Sequence, residues 1–194
     1  MLDYIAMGMV LDEALTGYDI RREIETGIGN FYKASYGSLY PALKKLAGKG
    51  YLTMSEQLHG NRVKKYYEAT ALGKGAFLEW LSAPFDLRSG SDSLLARIYF
   101  FGVLPEDVRK QQLQAYELYY QQMLRKLQTL EQRFSASLAD GDGREYFELS
   151  TLYLGLQHLQ DSLRWFKHIG TQKPLSEFLR TDFDLKGTLN HDSD

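Results

Sequence analysis

The sequence predicts a mainly α-helical chain with one small β-hairpin, followed by a second half built on two long antiparallel helices. Three observations carry that prediction. Apolar residues recur at helical spacing in three short segments before residue 50. Two β-rich runs, "YLTMSEQL" and "VKKYYEAT", flank the tight-turn pair Gly60-Asn61. Beyond Pro105, apolar residues follow alternating spacings of three and four through two stretches separated by "ADGDGR". With 44% hydrophobic residues in 194, the chain can bury a core.

Residues 2–11, "LDYIAMGMVL", are apolar nearly all round and read as a short buried helix. "TGYDIRREIETG" opens on Thr16, a good N-cap, with Asp19 three residues on as a capping-box variant. Tyr18, Ile20 and Ile24 form its apolar stripe, and Gly27 and Gly29 end it. In "SYGSLYPALKKLAGKGYL", Leu39, Ala42, Leu43, Leu46 and Gly50 mark one helical face. Pro41 is tolerated only in a first turn, where amides lack intrahelical partners, so this helix starts between Ser35 and Ser38. The hairpin follows, then a helix over "TALGKGAFLEWLSAP" capped by Thr70 and stopped by Pro84. Three helices and a two-stranded ribbon, in that order, are the order of a winged helix-turn-helix. Tyr66 and Tyr67 alternate on the second strand, which predicts one in the core and one exposed.

"APFDLRSGSDS" is a loop-like boundary near residues 83–93. Beyond it "SLLARIYFFGVL" reads as a short apolar helix, and Pro105 fits the first turn of a long one. Leu113, Tyr116, Tyr120, Met123, Leu127, Leu130 and Phe134 make a heptad seam on the first long helix. Leu149, Leu152, Leu156, Leu159, Leu163 and Phe166 make the matching seam on the second. Apolar residues also lie off each seam (Tyr119, Tyr146, Tyr153, Trp165), more than one hairpin can cover, so a partner surface is expected. The expected division is a winged helix-turn-helix domain over 1–82, a helical dimerisation and effector domain over 91–172, and a tail over 173–194.

Net charge is −2, which argues against wholesale binding to a polyanion. Between residues 31 and 75, however, eight Lys or Arg face two acids, a local balance of +6 that leaves −8 for the rest. On the third helix Gly37, Pro41, Lys44, Lys45 and Gly48 lie opposite the apolar face, flanked by Ser38 and Tyr40, with no carboxylate among them. Such a face lets backbone approach a polyanion closely, offers hydroxyls to base edges or phosphates, and displaces counterions with its lysines. Arg62, Lys64 and Lys65 open the second strand beside it. The bland alternative for the lysines is a solvated face; the missing acids and adjoining basic ribbon weigh against it.

The chain has no cysteine, which removes disulfides, thiol catalysis and Cys-bound zinc. His158 and His168 are not at ligand spacing. No H-E-x-x-H, P-loop, G-x-S-x-G or G-x-G-x-x-G occurs, so neither a cofactor nor an enzymatic reaction is expected. The N-terminus lacks a basic region before its apolar run, and no apolar stretch reaches the ~20 residues of a membrane span. A cytoplasmic protein with no membrane partner is the expectation.

"LTGYDIRREIETGIGNFYKASYGSLYPALKKLAGKGYL" with "GNRVKKYYEATALGK" closely resembles the PadR family of transcriptional regulators, over residues 4–80. The second half resembles the C-terminal helical domain of its longer subfamily, which includes virulence activators. The resemblance implies a homodimer on a near-palindromic double-stranded DNA operator, usually repressing. It implies dimerisation through the C-terminal helices, with the residues of the two seams named above at the interface, and through the first helix, here Tyr4 and Ile5. It also implies release by a small aromatic or nucleotide-like effector. Carried over, Tyr18 lies beside the DNA-facing helix, and Ser35, Tyr36, Gly37, Ser38 and Tyr40 belong to that helix's start, with Lys33 before them and Lys44 and Lys45 further along. Asn61, Arg62, Lys64 and Lys65 form the wing. For Tyr36, packing at a helix corner is an equal alternative. Aromatics of the second half either line an effector pocket or form packing and dimer core. Asn61 and Val63 stand where the family wing often has glycine and proline. The competing function is a protein-interaction module on the same scaffold.

Overall fold

Residues Leu2–Gly8 form α1, with Ile5, Ala6 and Met7 buried. The helix stops three residues short of the expected end. After Gly8 the chain turns so that the Val10 carbonyl accepts a hydrogen bond from Ala69 N–H at 3.1 Å, tying the turn to the sheet. The computed structural model describes residues 1–30, 36–60, 62–84, 91–135 and 143–179. Two compact units result, Met1–Arg109 and Lys110–Asp194.

Leu15–Thr16 form a two-residue strand, β1, too short to leave a periodic signal in sequence. Thr16 then caps α2, Gly17–Thr26. Asp19 N–H donates to Thr16 Oγ1 at 3.2 Å, and the Thr16 hydroxyl donates back to the Asp19 carboxylate at 2.6 Å. A 3-10 turn over Tyr36–Ser38 leads into α3, Leu39–Gly48. Ser38, at the N-cap position, is the last residue of that 3-10 turn, so it already has helical backbone angles and makes no side-chain capping bond. Leu39, Ala42, Leu43 and Leu46 are buried, as their spacing demands. Gly50 is not on that face; it lies past the helix with φ of 72°.

β2, Leu52–His59, pairs antiparallel with β3, Arg62–Ala69, in an unbroken register from Leu52↔Ala69 to His59↔Arg62. β1 joins the other edge of β3, giving the order β1-β3-β2. The β1 register sets Thr16 and Leu15 against Tyr66 and Tyr67, and both tyrosines are half-buried rather than split between core and solvent. α4, Ala71–Ser82, is capped by Thr70, which accepts from Gly73 N–H at 3.0 Å and donates to the Gly50 carbonyl at 2.7 Å.

α5, Ser91–Ile98, and a 3-10 turn over Phe101–Val103 pack with this first unit. Phe100 meets Phe77 edge to face at 5.3 Å. Buried Arg97 donates to the carbonyls of Trp80 and Leu81 at 2.7 Å and to that of Ala83, satisfying the last carbonyls of α4. Trp80 in turn stacks on Tyr4 of α1 at 4.5 Å, nearly parallel. Packing thus places the helix after the expected 83–93 boundary with the winged unit; residues 85–90 of that boundary lie outside the described residues.

α6, Glu106–Ser135, runs into the second unit, where α7, Gly143–Thr171, and α8, Leu175–Leu179, follow. The two long helices are antiparallel. Tyr116 and Tyr120 meet Phe166 at 5.7 and 5.1 Å, Leu127 lies where a Cβ on Gly155 would be 3.3 Å away, and the Tyr153 hydroxyl donates to Glu131 at 3.0 Å. Of the expected turn at 139–144, residues through 142 lie outside the described ones, as does the tail from 180. No described helix is long and apolar enough to cross a membrane.

Candidate nucleic-acid interface

The third helix presents the face its sequence calls for. Gly37, Ser38, Tyr40, Pro41, Lys44 and Gly48 are exposed, while the Leu-rich face is buried. No carboxylate interrupts α3. Tyr40 is 59% exposed, and Tyr18, at the start of α2, 68%. Lys44 stays at the surface. Lys45 does not share its role: its ammonium lies 2.7 Å from the Asp3 carboxylate of α1. That hydrogen bond and ion pair hold the Lys45 ammonium above its ordinary range. The pair spans 42 positions, so no local pattern could have announced it.

The ribbon projects from the body. From Thr53 to His59 and from Arg62 to Lys65 every described residue is exposed, so both faces are open. Gly60 begins its tip with φ of 60°. Alternation divides the basic residues between faces. Arg62 and Lys64 share one face, opposite His59 and Gln57. Lys65 points the other way, opposite Glu56, 3.5 Å from its carboxylate. On that same second face Leu58 and Val63 form an apolar cross-strand pair, 75% and 59% exposed. Sequence reasoning passed over this pair because alternating apolar residues ordinarily signal burial.

Among the other expected contacts, Lys33, Ser35 and Asn61 lie outside the described residues. So does the side chain of Tyr36, whose backbone is in the 3-10 turn.

The expected dimer residues separate into two groups. Ile5 is fully buried within its own unit and has no surface left for a partner; Tyr4 is stacked on Trp80. In the second unit Leu113, Tyr116, Leu149, Leu156, Leu163 and Phe166 are buried inside the hairpin. Tyr120, Met123, Leu127, Leu152 and Leu159 are half-buried, and Leu130 and Phe134 are exposed. Burial of Tyr120 pushes its phenol above the ordinary value near 10, with Tyr119 adding to the effect. A cavity of about 310 Å³ between α6 and α7 is lined by Leu127, Leu130, Phe134, Leu149 and Leu152, with Glu145 and Glu148 among its walls.

Two family models match the chain. Residues 7–79 match the transcriptional regulator PadR-like family, and residues 92–171 match the virulence activator alpha C-terminal domain. The negative transcriptional regulator PadR of Bacillus subtilis is 31% identical over 120 residues, covering 59% of this chain and 66% of that protein. A "probable transcriptional regulator" of Mycobacterium tuberculosis is 25% identical over 96 residues, covering 48% of this chain and 51% of that one. These matches span just under two thirds and about half of the relatives' own lengths. The crystal structure of Bacillus subtilis PadR in complex with operator DNA aligns at 24% identity and a TM-score of 0.44, covering 88% of this chain and 98% of that one.

Proposed function

Because this chain belongs to the PadR-like family of transcriptional regulators, we propose that it binds a near-palindromic DNA operator as a homodimer and represses transcription there. The supporting observation is the exposed, carboxylate-free face of α3 together with a ribbon that carries Arg62 and Lys64 on one of its two open faces. α3 enters the major groove, with Ser38 and Tyr40 reading bases. Lys44, Arg62 and Lys64 neutralise phosphates. Lys33, Ser35, Tyr36 and Asn61 flank these groups in sequence and complete the contact set. Lys45 instead braces α3 against α1 through Asp3, and Lys65 is partly neutralised by Glu56.

The dimer forms through the exposed apolar side chains of the hairpin, Leu130 and Phe134 among them. Two copies then present their recognition helices about 34–36 Å apart, one helical turn of DNA. Repression follows the Bacillus relative, a negative regulator. A small aromatic or nucleotide-like effector releases the operator by favouring a state with lower DNA affinity. Action on DNA places the protein in the cytoplasm.

The test is titration of a selected duplex at several salt concentrations. Operator binding requires log K to fall with log[salt] at a slope of several units, and a scrambled duplex to bind ~10³-fold or more weaker. A salt-independent association would instead favour a protein-contact module.

A further inference from the structure

Gly17 is the first residue of α2, directly after the Thr16 cap, and its φ lies outside the left-handed region. Nothing in its backbone conformation calls for glycine, since a first helical position accepts most residues, proline included. What excludes a side chain is Tyr40. A Cβ on Gly17 would lie 2.7 Å from Tyr40 Cε1, 3.2 Å from Cζ and 3.3 Å from the phenol oxygen. The ring of the recognition helix therefore rests on the bare backbone of α2, and its other side remains open.

From this contact we infer that Gly17 is a positioning residue for DNA recognition: its missing side chain is the seat that aims the Tyr40 phenol before DNA arrives. The inference rests on the DNA-binding reading above. A tyrosine held in place on one side loses less rotamer freedom on binding than a free one. The seat also explains how a ring 59% exposed has a defined direction. Gly73 marks the difference between a seat and a structural requirement. There a Cβ would come 2.0 Å from the Tyr51 carbonyl oxygen, main chain that cannot swing aside. At Gly17 the obstacle is the far end of a side chain, so a methyl group displaces the ring and leaves the fold.

The experiment is a double-mutant cycle on the full-length protein with Gly17→Ala, Tyr40→Ala and both together. The probes are the tightest duplex recovered by selection from random-sequence DNA and a scrambled duplex of equal length. Gly17→Ala is expected to weaken the selected duplex about 3- to 10-fold with the salt slope unchanged. In the Tyr40→Ala background the same substitution should have no further effect. A Gly17→Ala protein that binds like wild type overturns the inference, as does an equal loss in both backgrounds. A Gly17→Ala protein that fails to fold also overturns it, because the clash would then fall on something other than a movable ring. If wild type shows no salt-dependent binding, the DNA reading itself fails, and that outcome is visible before any substitution is made.

Discussion

In the first unit Phe77 and Phe100 meet edge to face and are buried, whereas in the second Tyr146 and Phe147 each keep 70% of their surface. Leu130, Phe134, Tyr153 and Leu154 are likewise exposed on the long helices. The winged unit packs its helices and sheet around Ile5, Ile20, Ile24, Leu43 and Phe77, and each is fully buried. The hairpin has only two long helices and can close one seam between them. A helix with apolar residues on more than one stripe must find a second surface. The contrast teaches that, on the function proposed above, one unit would meet its partner through charge and the other through apolar area. The first unit also exposes apolar groups such as Leu58 and Val63, but on a ribbon that carries Arg62, Lys64 and Lys65, whereas those of the hairpin lie along its own long helices.

The sharpest way to break that comparison is to charge the bare apolar surface. If the proposed dimer forms there, Leu130→Asp with Phe134→Asp should convert it to monomer by sedimentation and weaken operator binding ~100-fold or more, by removing the second attachment. A variant that stays dimeric would move the interface elsewhere. Next in size is the ribbon. Arg62→Ala with Lys64→Ala should weaken binding to every duplex and flatten the salt slope by about two. If the slope holds, that face of the ribbon does not meet phosphate.

A subtler comparison lies within α3. Lys44→Ala should lower the salt slope by about one, while Lys45→Ala leaves it unchanged, because Asp3 already neutralises Lys45. Equal slopes for the two variants would put both lysines on DNA. The smallest expected effect concerns alkali. The folded-state phenol of Tyr120 titrates above its ordinary value near 10. Its neutral form is therefore favoured by the fold, and the stability this contributes is present below pH 10 and lost as pH rises through the folded-state value. Tyr120→Phe should remove that part of the alkaline loss, measured by thermal melts between pH 9 and 11; an identical pH profile would rule it out.

Much of the α3 face was legible because its pattern is local. Leu39, Ala42, Leu43 and Leu46 had to share a face at 100° per residue, which left Tyr40, Pro41 and Lys44 outside. Thr16 and Thr70 were readable as caps for the same reason, since a cap bonds three residues along the chain. The heptad seams marked the apolar stripes of α6 and α7 but not their partners: Tyr116, Leu163 and Phe166, expected at a dimer interface, lie buried within the chain's own helix pair. The end of α1 was misjudged because the turn after Gly8 answers to a bond with Ala69, 59 residues away in numbering from Val10.

The sequence by itself determined the helix faces, the caps, the hairpin turn at Gly60 and the concentration of positive charge, because each depends on residues within a few positions of one another. Only the tertiary structure decided which of two adjacent lysines pairs with Asp3, which lysine of the ribbon pairs with Glu56, and what a side chain at position 17 would displace. Those outcomes depend on Asp3 meeting Lys45, Glu56 meeting Lys65 and Tyr40 lying across Gly17. Contacts between distant parts of a chain are set by how its elements pack, and helical or strand periodicity carries no record of them.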